Sequence, residues 1–525
     1  MINLLFLICL GGATLFLSGC NKDFNEFNQD PFALTNEDLK SDYRLIGEPF
    51  VSMIRNIYVL TPAWVTQLQQ NLIGDVYSGY MMPPTPFAGN SNNMNYNLVD
   101  GWNTWAWNPA YTSVMAATLN VKQNAGTEFP EFLSWMEIIK VEAMHRVTDM
   151  FGPIIYTKYG QAEADGSFLY DCQDVIYDQF FKDLDAGVAG LDAYRAANPG
   201  ATPFQAFDEV YAGNIESWVR FANSLRLRLA IRISRVDPAR AKLEGEKAMN
   251  HPLGVITTNA ENFTVKNDVD HPMNTINNAW NDIRMGAPME SILVGYDDPR
   301  LSKYFQPSAI VPGEFKGIRL GIEIADKGDY VTFSPLQPLG DVQLMVASEV
   351  FFLRAEGALR NWSNMGGTVQ ELYEEGVTTS FAQYGAEGAA AGYLADNSSR
   401  PIPYADPNNA VNNVNSGDPH LSTTTIAWNE GAGFDAKLEK IITQKWIAMY
   451  PDGQEAWSEY RRTGYPKLFP VVINNSGGTV DTEAGIKRIK YISGEYTQNP
   501  GGVASGVSCL GGPDTGGTPL WWDID

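Results

Sequence analysis

Apolar residues recur at steps of three and four along much of the chain, which is the spacing of one face of an α-helix. In SWMEIIKVEAMHRVTDMFGP, residues 134–153, this spacing continues until Gly152 and Pro153 end it. In DVIYDQFFKDLDAGVAGL, residues 174–191, the apolar residues again form one stripe. The two segments are predicted to pack as an antiparallel pair of helices.

The same arrangement of helix, break and helix occurs twice more. The segments 214–234 and 239–252 form one such pair, and the segments 346–362 and 368–385 form another. Each unit covers roughly 34 to 40 residues, which is typical of tetratricopeptide hairpins. A weaker pair lies near residues 50–70 and 103–124. The pattern predicts an all-α fold built on a scaffold of tetratricopeptide-like helical hairpins.

Three regions break this pattern and are rich in Gly, Pro, Asn and Asp: about 251–342, 385–433 and 466–525. They contain many large aromatic residues, so we expect ordered, loop-rich segments facing the ligand rather than free linkers. The helical scaffold is expected at about 46–250, 343–384 and 434–465. Residues 46–525 are predicted to form a single domain.

At the N-terminus an apolar run from Leu4 to Leu17 stops at a lone cysteine. The run suits a signal-peptide core and is shorter than the roughly 20 residues of a membrane-spanning helix. Leu17-Ser18-Gly19-Cys20 resembles a bacterial lipobox, although no Lys or Arg precedes the run. We expect a signal peptide at 1–19, lipidation at Cys20 and an N-terminal tether at 20–45. The alternatives are an ordinary secretory signal and a buried cysteine in an apolar helix.

The charge of the 525-residue chain limits its partners. It has 37 basic and 61 acidic residues and a net charge of −24, which repels nucleic acids and anionic headgroups. Beyond Cys9 and Cys20, only Cys172 and Cys509 remain, so there is no disulfide framework. These two could pair with each other, but the pattern favours two separate thiols.

Motifs of known enzyme classes are lacking in the sequence. There is no GxSxG, HExxH or P-loop motif, and the four His residues are dispersed along the chain. We therefore expect no catalytic residue, no metal site and no cofactor. GYDDPR, residues 295–300, could hold a cation, but a solvated turn is the favoured interpretation.

The segment NMNYNLVDGWNTWAWNPAY, residues 93–111, combines aromatic rings with amide side chains. Flat rings stack on the C–H faces of sugars, and amides bond to sugar hydroxyls. Trp102 and Trp105 are expected to share one helical face, whereas Trp107 points elsewhere. The predicted ligand-binding residues are Tyr96, Trp102, Asn103 and Trp105, with core packing of some of these rings as the alternative.

The chain also resembles the SusD/RagB family of surface lipoproteins, in the branch that starts with Asn-x-Asp-Pro. The resemblance is carried by the lipobox and, among other segments, by FNQDPFALT, NYNLVDGWNTWAWNPAY, RVTDMFGPIIY, FANSLRLRLAIRIS and ITQKWIAMYPDGQEAWSEYRRTGYPKL. It implies an outer-membrane lipoprotein, exposed at the cell surface, that binds a glycan or a peptide. It also implies delivery of this ligand to a SusC-like TonB-dependent transporter, without covalent chemistry.

Two other functions stay open at this stage. A tetratricopeptide array could serve as a protein-interaction scaffold, and a surface glycoside hydrolase is a further alternative. In the hallmark segment DGQEAWSEYRRTGYP, Glu455, Glu459, Arg461 and Arg462 are expected to form a structural, salt-bridged helix end rather than a site.

Overall fold

A computed structural model describes residues 42–266 and 270–524 of the chain. Residues 47–525 form one compact unit, and residues 1–46 belong to a second unit, of which only residues 42–46 are described. The expected signal peptide, Cys20 and the tether up to residue 41 lie outside the described residues. Among the described residues, no helix is both long and apolar enough to cross a membrane.

Helices make up most of the regular structure. In chain order the α-helices are α1 Arg44–Ile57, α2 Ala63–Thr66, α3 Asp100–Pro109, α4 Ala116–Ala125, α5 Pro130–Phe151, α6 Gln173–Ala197, α7 Ile215–Arg232, α8 Pro238–Asn250, α9 Pro272–Asn274, α10 Ala287–Met289, α11 Leu301–Tyr304, α12 Lys327–Tyr330, α13 Ala347–Leu359, α14 Val369–Gln383, α15 Ala390–Leu394, α16 Phe434–Ala448, α17 Gly453–Thr463, α18 Ser493–Gln498 and α19 Pro500–Cys509. The π-helical segments Gln67–Asp75, Ala110–Met115, Thr275–Ala279 and Glu290–Val294 extend α2, α3, α9 and α10. Short 3₁₀ turns lie at Phe87–Asn90, Asn93–Asn95, Asn259–Glu261, Glu387–Ala389 and Ala410–Asn412.

The strands are short and form two antiparallel pairs. Strand β1, Met81–Met82, pairs with β3, Arg284–Met285. Strand β2, Phe263–Val265, pairs with β4, Val342–Met345. Both sheets have two strands, so the helices determine the architecture.

The three stronger of the predicted hairpins are confirmed, because α5 packs on α6, α7 on α8, and α13 on α14. Glycines permit the close approach within two of these pairs. A Cβ added to Gly187 of α6 would lie 2.7 Å from the Ile138 side chain of α5. A Cβ added to Gly376 of α14 would lie 2.8 Å from the Phe352 ring of α13. The fold is therefore all-α, with tetratricopeptide-like hairpins as its scaffold.

Buried ion pairs join α13 to two other helices. Arg462 of α17 donates two hydrogen bonds of 2.7 Å to Glu356. Arg228 of α7 donates hydrogen bonds of 2.8 and 2.7 Å to Glu349. Arg232 adds ion pairs with Glu455 and Glu459. All these side chains are buried, which fits the expected structural, salt-bridged role of Glu455, Glu459 and Arg462. The Arg461 guanidinium instead donates hydrogen bonds to two backbone carbonyls and to Ser458 Oγ.

The segment GYDDPR is not a solvated turn throughout. Asp297 is exposed, but Asp298 and Arg300 are buried. The Arg300 guanidinium donates hydrogen bonds of 2.9 and 2.6 Å to the Asp298 carboxylate. The sequence-based expectation is therefore wrong for this pair, which forms an internal ion pair.

Cys172 and Cys509 form a disulfide, with their Cα atoms 5.3 Å apart. The expectation of two separate thiols is thus wrong. The thiols meet because the C-terminal helix α19 packs on the segment that leads into α6. Asn499 exchanges two hydrogen bonds of 2.9 Å with the Phe168 backbone, and Ser505 Oγ accepts a 2.9 Å bond from Tyr170 N–H.

Candidate functional site

Helix α3 has two faces with different environments. Successive residues of an α-helix turn by about 100°, so Asp100, Asn103 and Trp107 lie within roughly 60° of one another. Trp102 and Trp105 lie on the opposite side by the same geometry. We call the first set the anchored face, because its side chains bond to or pack against other parts of the protein, as the contacts below describe.

The opposite face of α3 displays two tryptophans at the protein surface. The Trp105 ring meets Trp64 of α2 at 4.6 Å between centroids and 88° between planes. The Trp102 ring meets Phe87 at 5.7 Å and 84°. Trp64 is 42% exposed, and the other three rings are partly exposed. These four residues, Trp64, Phe87, Trp102 and Trp105, form what we call the aromatic patch.

Edge-to-face contacts fix the orientation of these rings while leaving part of their surface in water. Such rings can stack on the apolar face of a sugar. Amide groups flank the patch, because Asn108 follows Trp105 by about one helical turn and is partly exposed. The π-helical segment Thr275–Ala279 packs beside α2, and its Asn278 is exposed. The surface therefore combines flat rings with hydrogen-bonding groups.

Tyr96 and Asn103 lie in the interior, at 5% and 1% exposure. Tyr96 has a left-handed backbone (φ 67°), its ring packs near Tyr77, and burial raises the pKa of its hydroxyl. Asn103 Oδ1 accepts a 3.0 Å hydrogen bond from Asn93 Nδ2. Both side chains are thus buried rather than displayed in the aromatic patch. Direct contact with a ligand stays a prediction for all four predicted residues, of which Trp102 and Trp105 are the two that are partly exposed.

Trp107 belongs to the core, at 2% exposure. Its ring lies 5.1 Å from Phe151, 5.7 Å from Tyr170 and 6.2 Å from Tyr491. The spacing of residues 102, 105 and 107 already predicts that Trp107 lies on a different face of the helix from Trp102 and Trp105. The sequence did not indicate Trp64 and Phe87 as part of the site, because no local pattern shows which distant rings pack against α3.

The described residues offer no evident metal centre. Within residues 42–266 and 270–524, no three His, Cys, Asp or Glu side chains lie close enough together to hold a metal ion. The acidic residue of α3, Asp100, is engaged by Ser493 through two hydrogen bonds. The geometry of the patch is suited to binding by stacking.

Comparison with known proteins gives a consistent result. Residues 26–523 match the SusD-like family described as SusD and RagB outer membrane lipoprotein. A chitin-binding SusD homologue from Flavobacterium johnsoniae is 50% identical, with a TM-score of 0.88 over 91% of this chain and 99% of that chain.

Two further solved structures are similar over nearly the same extent. A SusD homologue from Bacteroides uniformis is 39% identical, with a TM-score of 0.83 over 92% of this chain and 99% of that one. A SusD homologue from Bacteroides vulgatus is 35% identical, with a TM-score of 0.85 and the same coverage. No curated protein is significantly similar to the chain.

Proposed function

The chain belongs to the SusD and RagB family of outer membrane lipoproteins, and from this premise we propose that it binds a glycan at the cell surface. The bound glycan is then delivered to a SusC-like TonB-dependent transporter in the same membrane. The observation that carries the proposal is the aromatic patch, whose four rings are partly exposed and are held in edge-to-face pairs at the protein surface.

We further propose that the glycan is chitin or an oligosaccharide of it. The support is the 50% identity to a chitin-binding SusD homologue over nearly the whole of both chains. The chemistry also fits, because β-linked N-acetylglucosamine rings carry equatorial substituents and present flat C–H faces. Such faces match partly exposed indole rings, and the acetamide groups can bond to neighbouring amides.

The attachment to the membrane follows from the sequence and the family. We propose cleavage after residue 19, lipidation of Cys20, a tether at 20–45 and a single folded domain from residue 46 to 525. A lipid anchor with two or more chains holds a protein firmly on a membrane. It would keep the domain beside a transporter in the same membrane.

The direct test is isothermal titration of the purified protein with hexa-N-acetylchitohexaose, with cellohexaose as the comparison sugar. We expect saturable binding of the first sugar and weaker or no binding of the second. Chromatography of the mixture should recover the oligosaccharide at its original length, since binding occurs without turnover. Shortened products would favour the glycoside hydrolase.

The partner is tested separately from the ligand. Purification of the protein from detergent-solubilised outer membranes, after mild crosslinking, should bring along a TonB-dependent barrel. If the barrel copurifies but neither a glycan nor a peptide binds, the protein-interaction scaffold is favoured. If the barrel is absent while glycan binding is intact, the delivery step is wrong and the binding step holds.

A further inference from the structure

The anchored face of α3 is held by a segment from the C-terminal end of the chain. Asp100 Oδ1 accepts a 2.8 Å hydrogen bond from Ser493 N–H, and Asp100 Oδ2 accepts a 2.6 Å bond from Ser493 Oγ. The residue before the helix, Val99, offers no side-chain cap. The two bonds to Ser493 therefore tie the first turn of α3 to the C-terminal segment, beside the bond between Asn103 and Asn93 on the same face.

A second contact holds the other end of this helix. The Trp107 ring lies 6.2 Å from Tyr491 and 5.7 Å from Tyr170, at interplanar angles of 78° and 33°. Tyr491 is fixed in turn, because its hydroxyl donates a 2.8 Å hydrogen bond to the Pro153 carbonyl. The C-terminal segment thus contacts both the first and the last turn of α3.

The same segment is fastened to the scaffold on its far side. Tyr170 donates a 2.6 Å hydrogen bond to Glu495, and Asn499 exchanges bonds with the Phe168 backbone. The packing is tight, since a Cβ at Gly506 would lie 2.6 Å from the Tyr170 ring. The disulfide from Cys509 to Cys172 closes this attachment just before α6.

We propose that residues 488–506, which we call the C-terminal brace, position the aromatic patch for ligand binding. Ser493 is a positioning residue that acts through Asp100, and the disulfide secures the brace to the scaffold. The physical reason is preorganisation: rings that are already fixed do not lose conformational freedom when the sugar binds. This inference rests on the proposed function, because affinity is one of its measured consequences.

The first experiment compares the full-length wild type with Ser493→Ala, Ser493→Thr and Asp100→Ala, in detergent, using hexa-N-acetylchitohexaose as the probe. We expect roughly threefold weaker binding for Ser493→Ala and roughly tenfold for Asp100→Ala, because one and both bonds are lost, respectively. Ser493→Thr keeps the hydroxyl and should restore the affinity. Ser302→Ala, an exposed serine outside the brace, is the matched control.

Melting temperature and amide hydrogen exchange separate positioning from general stability. The Ser493→Ala variant should melt within about 2 °C of the wild type while the amides of residues 100–108 exchange faster. The double variant Cys172→Ser/Cys509→Ser should show the same local increase. If that double variant does not fold, the Ser493→Ala measurements still decide the question.

The positioning role of the C-terminal brace would be overturned if Ser493→Ala and Asp100→Ala both bound the sugar with wild-type affinity and showed unchanged amide exchange in α3. Failure of the proposed function looks different, because the wild type itself would then bind no sugar. In that case the amide exchange of residues 100–108, which needs no ligand, still supports or contradicts the positioning of α3.

Discussion

The Trp105 ring stands edge-on to Trp64, with 4.6 Å between centroids and 88° between planes. The two residues come from different helices, α3 and α2, and neither ring is fully buried. Contiguous exposed apolar surface of this kind often marks a binding site on a protein. The pair and its neighbour Trp102 are therefore the first residues to test for ligand binding.

Replacing Trp102 and Trp105 together by Ala should weaken glycan binding by tens-fold or more, because each stacked ring contributes about 1–3 kcal/mol. The measurement is titration of both variant and wild type with hexa-N-acetylchitohexaose. Trp428→Ala, a partly exposed tryptophan outside the patch, is the matched control and should bind as the wild type does. Preserved binding by the double variant would rule out the patch as the site.

Trp107→Ala should differ from the double variant, because its main effect should be a loss of stability. Its ring is buried among Phe151, Tyr170 and Tyr491, so its removal leaves a cavity in the core. Loss of a buried Trp costs about 3–5 kcal/mol. Urea unfolding measures this, and a free energy of unfolding equal to that of the wild type would contradict the described packing.

Arg462→Met should destabilise the protein by about 3–5 kcal/mol, because Glu356 and Glu459 would be left buried without this partner. Lys242→Met removes an exposed i,i+4 pair with Glu246 and serves as the control. That change should cost less than about 0.5 kcal/mol. If the two substitutions lowered the free energy of unfolding equally, the buried ion pairs would contribute no more to stability than the exposed pair.

Glu142 should make the free energy of unfolding depend on pH. Burial raises the pKa of its carboxyl to about 8, well above the ordinary value for Glu. The folded protein therefore holds a proton that the unfolded chain has released, and this contribution to stability is lost as pH rises through 8. Between pH 7 and 9 the wild type should lose about 1.4 kcal/mol more than Glu142→Gln.

Urea unfolding of both proteins at the two pH values tests this, with the Gln variant as the isosteric reference. Its amide does not titrate, so all other ionisable groups cancel in the difference. The same loss of stability in both proteins would mean that Glu142 is already ionised in the folded state at pH 7.

Cys20→Ala should release the protein from the outer membrane or leave the signal peptide uncleaved. The apolar run before Cys20 is too short to hold the chain as a membrane-spanning helix. Membrane fractionation followed by mass determination of the product checks this. A variant that is processed normally and still sediments with the membrane would contradict lipidation as the means of attachment.

Periodicity was enough to predict the hairpins, because each helix carries its apolar stripe within its own sequence. It also separated Trp102 and Trp105 from Trp107, since that relation depends on helical geometry alone. The burial of Tyr96 depends instead on a left-handed backbone residue and on packing against Tyr77. Local spacing carries no information about such contacts.

The sequence could not predict the disulfide or the rings that pack against α3, because these contacts join residues that are far apart in the chain. Cys172 and Cys509 are 337 residues apart, and only the packing of α19 on the segment before α6 brings them together. The burial of Asp298 was also not predictable. A turn rich in Asp and Pro is typically solvated, but here the Arg300 guanidinium binds the Asp298 carboxylate in the interior. Each case depends on tertiary packing.

The bond between Cys172 and Cys509 has a consequence for what proteolysis would do to the protein. Most of the chain lies between these two residues. A single cut in any loop between them leaves two polypeptides that remain covalently joined, so a nicked molecule would keep its C-terminal segment attached. On a non-reducing gel it would run as one chain, and only after reduction as two.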